Sequence, residues 1–135
     1  MSYPSEYVAH FIAWCHELLI DNPDFKIPCP RSILSDKYRI QHRIPKSHNH
    51  FTSNILKPMF LIESIKKSEY TKHMQAKLMC LLSLPVDEEH YDELTKEIHI
   101  ILDPYKRIIQ YHSEEEIRIC RHRKPADRTR QDNQR

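Results

Sequence analysis

The sequence contains no glycine. None of the loops that bring bare backbone N–H groups up to a phosphate can then be written. There is no Walker A loop, no dinucleotide-binding fingerprint, no kinase glycine loop and no nucleophile elbow. Nucleotide-dependent enzymes of those kinds are excluded before any motif is read. Tight hairpins of type I′ lose their preferred residue as well. Long hydrophobic runs are also missing, since nothing approaches the ~20 apolar residues of a membrane-spanning helix. The N-terminus MSYPSEY has no basic n-region and no apolar stretch, so no signal peptide is expected. Cys15, Cys29, Cys80 and Cys120 form no CxxC pair. Without a secretory signal they read as reduced thiols of the cytosol or nucleus.

What is present amounts to one domain. A chain of 135 residues buries roughly two thirds of its unfolded surface, enough for a real core. Charged residues make up 30% and hydrophobic residues 39%, a globular balance. Net charge is only +2, but its layout is uneven: −4 over residues 1–25, +8 over 26–77, −6 over 78–120 and +4 over 121–135. A basic middle and a basic tail on an otherwise acidic chain point to an anionic partner on one surface. The competing reading is a solvated basic face with internal ion pairing.

Residues 5–20 carry Val8, Phe11, Ile12, Cys15, Leu18 and Leu19 at helical spacing, with Ser5 as N-cap and Asp21-Asn22-Pro23 as a stop. A proline-rich loop over 22–30 follows. Pro30 opens a second helix to about Arg43, with Ile33, Leu34, Tyr38 and Ile40 as its apolar face. Pro45 ends it. Ser47 caps a third helix from about His48, carrying Phe51, Ile55, Met59, Ile62 and Ile65, which Pro58 kinks or splits. A fourth helix from about Ser68 to Pro85 carries Met74, Leu78, Leu81 and Leu82. Asp87 caps a fifth, with Glu88 and Glu89 in its first turn and Tyr91, Leu94 and Ile98 inward.

The period then changes. HIILD (99–103), RIIQYH (107–112) and IRIC (117–120) are β-branched runs separated by Asp103-Pro104-Tyr105-Lys106 and Ser113–Glu116 turns. Beyond Cys120 the apolar content collapses, and residues 121–135 read as a disordered basic tail following a domain over 1–120. The fold class is α+β, about five helices followed by a small antiparallel sheet. This order also suits a winged-helix arrangement, in which the third helix enters the major groove.

The stretch from Leu81-Leu82-Ser83-Leu84-Pro85-Val86-Asp87-Glu88, through Tyr91 and Leu94, to Asp103 and Arg107-Ile108-Ile109-Gln110-Tyr111 resembles the SPK domain. That is a nematode-expanded module named for its occurrence alongside SET, PHD and protein kinase domains. The resemblance covers about residues 5–119. It departs from the family at Pro58, at His48 and His50 in place of arginines, and at the Glu114–Glu116 run in place of a glycine. It implies a nuclear protein of transcription or chromatin and carries no catalytic residue.

The candidate nucleic-acid contacts are Arg31, Lys37, Arg39, Arg43, Lys46, Lys57, Lys66 and Lys67, with Arg121, Arg123, Lys124, Arg128 and Arg130 of the tail. Their cations would neutralise phosphates and release counterions. Arg39 and Arg43 are one helical turn apart and so share a face. Trp14 lies off the main stripe of the first helix, where an exposed indole would meet a protein partner and a covered one would close the core edge. His42, His48, His50 and Cys120-Arg121-His122 lack the second paired cluster that zinc needs, so no metal or cofactor is expected. Ser83 beside a histidine is the one imaginable nucleophile, but no elbow supports it, and Cys15 and Cys80 read as core thiols. The expected activity is non-catalytic binding of nucleic acid, DNA ahead of RNA. The alternative is a chromatin-associated adaptor that meets protein through Trp14 or the acidic fifth helix. Neither a membrane nor a small-molecule substrate is expected as a partner.

Overall fold

The computed structural model describes residues 5–44 and 56–124. They form α1 (Ser5–Asp21), α2 (Arg31–Gln41), α3 (Pro58–Lys67), α4 (Lys72–Leu81), α5 (Glu88–Leu94), β1 (His99–Leu102), β2 (Ile108–His112) and β3 (Ile117–Ile119). The architecture is α+β, with five helices preceding a three-stranded antiparallel meander in the order β1-β2-β3.

α4 is the centre of the molecule. Every residue from His73 to Leu81 is buried, because α1, α3, α5 and β2 all pack on it. Burying Leu78, Met79 and Leu81 stabilises the fold by about 1.5–3 kcal/mol each. α1 contributes Val8, Phe11, Ile12, Cys15 and Leu19 to the same core. The sheet presents Ile100, Ile108 and Tyr111 inward. Its register sets Ile101, Gln110 and Ile119 in one row, and His99, His112 and Ile117 in the next. These two rows form the outer face.

Local chemistry fixes the boundaries. Asp87 caps α5, accepting from the His90 N–H at 2.7 Å, and Thr71 caps α4, accepting from Met74 N–H at 3.1 Å. The fourth helix thus starts at Lys72 and not near Ser68, whose hydroxyl instead donates to Ile65 O at the end of α3. Pro58 sits in the first turn of α3, where its missing N–H costs nothing. The expected Ser47 cap and the stretch through Ile55 lie outside the described residues. Three further expectations are corrected. Ile33 and Ile40 are exposed, because the buried stripe of α2 is Leu34, Ser35 and Tyr38. Met59 is exposed, and Leu61 and Ile65 face the core instead. Arg43 lies past the end of α2 with φ 58°, so Arg39 and Arg43 share no helix face.

With no glycine available, three other residues occupy left-handed backbone: Arg43, Ser83 and Lys106. Lys106 closes the β1–β2 turn, its N–H donating to Asp103 O at 2.9 Å. Asp103 organises the same turn through its side chain, accepting from the N–H groups of Tyr105 and Arg107.

Candidate nucleic-acid interface

The cations of the basic middle separate into two classes. Some are already matched by acids. Lys66 donates to both Asp87 and Glu89 at 2.9 Å, which raises its pKa above the ordinary lysine value through those two hydrogen bonds, Glu89 first. Lys67 lies 3.7 Å from Glu63. Arg39 lies 3.6 Å from Asp36 and donates to Ile44 O at 3.2 Å. The helix expected to read a groove therefore turns its two C-terminal lysines toward carboxylates.

The unmatched class is Arg31, Lys37, Arg43, Lys57, Arg121, Arg123 and Lys124, for which the described residues offer no ion pair. Of these, Arg31, Arg121 and Arg123 converge on one cleft of about 300 Å³. Lys37, Arg43, Lys57 and Lys124 are exposed and lie outside its lining. Lys46, Arg128 and Arg130 fall outside the described residues.

Four chain segments build the cleft. The first is the loop Pro28–Pro30, pinned to the end of α4 by the Cys29 N–H donating to Leu81 O at 2.9 Å. It delivers Arg31 at the start of α2, where Pro30 supplies no side-chain cap. The second is the turn after α4, where Leu82 and Ser83 line the cleft and Ser83 has φ 52°. The third is Arg107 at the start of β2. The fourth is the segment after β3, held in two ways. Arg107 Nη1 donates to Arg123 O at 2.7 Å. His122 bridges Ser83 Oγ, 2.8 Å from its Nδ1, to Ile108 O at its Nε2.

That bridge fixes the His122 tautomer. Nε2 carries the proton donated to the Ile108 carbonyl, so Nδ1 accepts from the Ser83 hydroxyl. Burial lowers the His122 pKa, consistent with a neutral ring. The serine–histidine pair imagined from the sequence thus exists. A backbone carbonyl orients the ring where a triad has a carboxylate, and the pair fastens residues 121–124 to the domain.

Arg107 is charge-balanced. Its Nε and Nη2 lie 3.0 Å from Asp103 Oδ2, and Tyr105 covers its guanidinium at 5.2 Å. Burial pushes the Asp103 carboxyl up, but hydrogen bonds from the Arg107 N–H and guanidinium outweigh it and hold it below its ordinary value. Arg31 is different. Its Nε is buried with no acceptor, and burial lowers its pKa. Among the described residues no carboxylate lines the cleft.

The remaining candidates are placed elsewhere. Trp14 is half-buried, stacked on Phe11 at 6.0 Å and edge-on to Tyr38 at 5.6 Å, and its indole N–H donates to Gln41 Oε1 at 3.0 Å. It closes the core edge between α1 and α2. Cys15 and Cys80 are buried free thiols whose pKa values burial raises, so neither is a reactive thiolate. Among the described residues no three His, Cys, Asp or Glu side chains are grouped to hold a metal, and no helix is long and apolar enough to cross a membrane.

The chain matches the SPK family model, a domain of unknown function, over residues 17–117. It belongs to the SPK domain family. No curated protein and no solved structure matches it. Within this SPK domain, Arg31, Ser83 and Arg107 fall inside the matched span, whereas Arg121 and Arg123 lie beyond it. The cleft is thus completed by residues that follow the family's own boundary. Arg107 and Ser83 were not singled out as charge-site residues from the sequence. The only local signal for Arg107 is its spacing of four from Asp103, which matters solely because a turn folds the two together.

Proposed function

We propose that this SPK domain is a non-catalytic nuclear module of transcription or chromatin regulation that engages nucleic-acid phosphates, DNA ahead of RNA. The observation that carries the reading is the convergence of Arg31, Arg121 and Arg123 on one cleft where, among the described residues, none is paired with an acid and no carboxylate forms the lining. Guanidinium groups make charge-assisted, often bidentate, hydrogen bonds to phosphate oxygens and are weakly hydrated, so they part readily from water. The nuclear setting rests on the family's occurrence beside SET, PHD and kinase domains. The footprint differs from the one expected of a groove-reading third helix, since Lys66 and Lys67 are held by acids. The test is fluorescence anisotropy of labelled duplex DNA, single-stranded DNA and RNA with the full chain. The R31A/R121A/R123A variant is expected to bind at least tenfold more weakly than wild type. Equal binding by the two proteins would remove the cleft from the reading.

A second reading, a protein-interaction adaptor, has its own supporting observation. Ile101, Ile117 and Ile119 are 40%, 62% and 64% exposed on the outer sheet face, beside exposed His99 and His112. A cluster of exposed isoleucines on one solvated sheet face is the kind of patch that marks protein contacts. Under this reading an I117T/I119T variant loses a chromatin partner that the arginine variant retains.

A further inference from the structure

We infer that the arginine cleft is built to take the terminal phosphate monoester of a nucleic-acid strand in preference to its internal phosphodiesters. The inference deepens the nucleic-acid reading above and rests on it. Three features point to the strand end.

The first is oxygen count. A terminal monoester offers three non-bridging oxygens, and an internal diester offers two. Three arginines with no ion pair among the described residues line the cleft. A third oxygen lets one phosphate serve Arg31 while still meeting Arg121 and Arg123.

The second is charge. A monoester carries about −1.5 to −2 at neutral pH, because its second proton leaves near pH ~6. A diester carries a single charge. Asp103 already balances Arg107, and the other three cations of the cleft have no acid partner among the described residues. The uncapped start of α2 adds its partial positive charge at the same place. Neutralising this set favours the more highly charged end group.

The third is shape. A volume of about 300 Å³ is at the small end of ligand pockets, suited to one phosphate and the adjoining sugar. Pro28, Pro30 and Leu82 supply apolar walls, and the Cys29–Leu81 hydrogen bond ties loop to helix. The fixed φ of each proline keeps that wall preformed. A strand crossing the surface through its internal phosphates would use a longer, shallower track.

The experiment compares four single-stranded DNAs of one sequence carrying an internal fluorophore: 5′-phosphorylated, 3′-phosphorylated, hydroxyl at both ends, and circular. Anisotropy titrations use the full chain. One phosphorylated end is expected to bind about tenfold more tightly than the hydroxyl-ended and circular strands, which match each other. That preference is expected to vanish in Arg31→Ala and in Arg121→Ala, and to persist in Lys57→Ala, which lies outside the cleft. Circular dichroism verifies that each variant is folded. Arg121 is exposed, so its variant keeps the test open should Arg31→Ala fold poorly. Similar affinity for all four strands would overturn the inference and leave the nucleic-acid reading standing, as would a preference unchanged in both arginine variants. No binding to any strand at low salt would overturn both.

Discussion

Lys77 carries its ammonium group into the interior from the middle of α4. Its side chain is 9% exposed, and Glu116, 3.1 Å away, is the acid paired with it among the described residues. Glu116 also accepts from Arg118 Nε at 2.6 Å and from the Tyr111 hydroxyl at 3.2 Å, and lies 3.7 Å from His73. Burial acts to raise the Glu116 pKa, but hydrogen bonds from Arg118 and Lys77 outweigh it and hold the carboxyl below its ordinary value. Replacing Glu116 with alanine strands the buried ammonium. Breaking a fully buried pair in this way costs about 3–5 kcal/mol. The Glu116 side chain is a quarter exposed, so water reaches the pair and the figure falls to about 2–3 kcal/mol. With a urea slope of ~2 kcal/mol/M the unfolding midpoint drops by roughly 1–1.5 M. The double variant Lys77→Met/Glu116→Gln removes both charges, and it is expected to recover at least half of that loss. Equilibrium urea unfolding followed by circular dichroism measures all three proteins. A midpoint for Glu116→Ala within ~0.2 M of wild type would refute the reasoning, as would a double variant less stable than the single.

Three further outcomes follow from the same structure. Lys106 sits at φ 70°, where glycine is the usual residue, so Lys106→Gly is expected to raise stability by about 0.5–1 kcal/mol, read as a higher urea midpoint. Asp87→Ala removes the α5 cap and both oxygens' contacts to the His90 N–H and Lys66, so it is expected to cost about 1–2 kcal/mol, against about 1 kcal/mol for Thr71→Ala at α4. His90 and His122 both have pKa values lowered by burial, so the unfolded chain binds more protons than the folded one below pH ~6.5. Their contribution is complete above that value and is lost as pH falls through their lowered values. The urea midpoint is expected to decline between pH 7.5 and 5, and less so in His90→Gln.

What the sequence made legible was what short-range chemistry decides. The Asp87 cap, the change to β-branched runs after Ile98 and the turn at Asp103–Lys106 each depend on residues within a few positions, and each is found where it was expected. The start of α4 was misplaced because Ser68 and Thr71 are both good caps, and the choice between them was made by Ser68 turning back to close α3. The α2 face was drawn too wide because helical spacing admits Ile33 and Ile40, whereas packing buries only Leu34, Ser35 and Tyr38. Charge pairing was the least legible level. Lys66 meets Asp87 and Glu89 across 21 and 23 positions, and Lys77 meets Glu116 across 39. No local pattern marks His90 as buried, yet its Nε2 lies 2.9 Å from Gln75 Oε1 in the core. The cleft belongs to this same class. Arg31, Ser83, Arg107, Arg121 and Arg123 come from four segments, and only the meander returning beside the end of α4 joins them.

The central claim is that the SPK domain meets phosphate through the three unmatched arginines of the cleft and not through the acid-paired lysines of α3. It is tested most directly by the salt dependence of nucleic-acid binding for wild type, R31A/R121A/R123A and K66A/K67A. Each phosphate contact contributes about 0.7–0.9 to the slope of log affinity against log salt. The account predicts a slope shallower by about 2–3 in the arginine variant and one nearly unchanged in the lysine variant. An arginine variant with the wild-type slope, or a lysine variant carrying the loss, would contradict it.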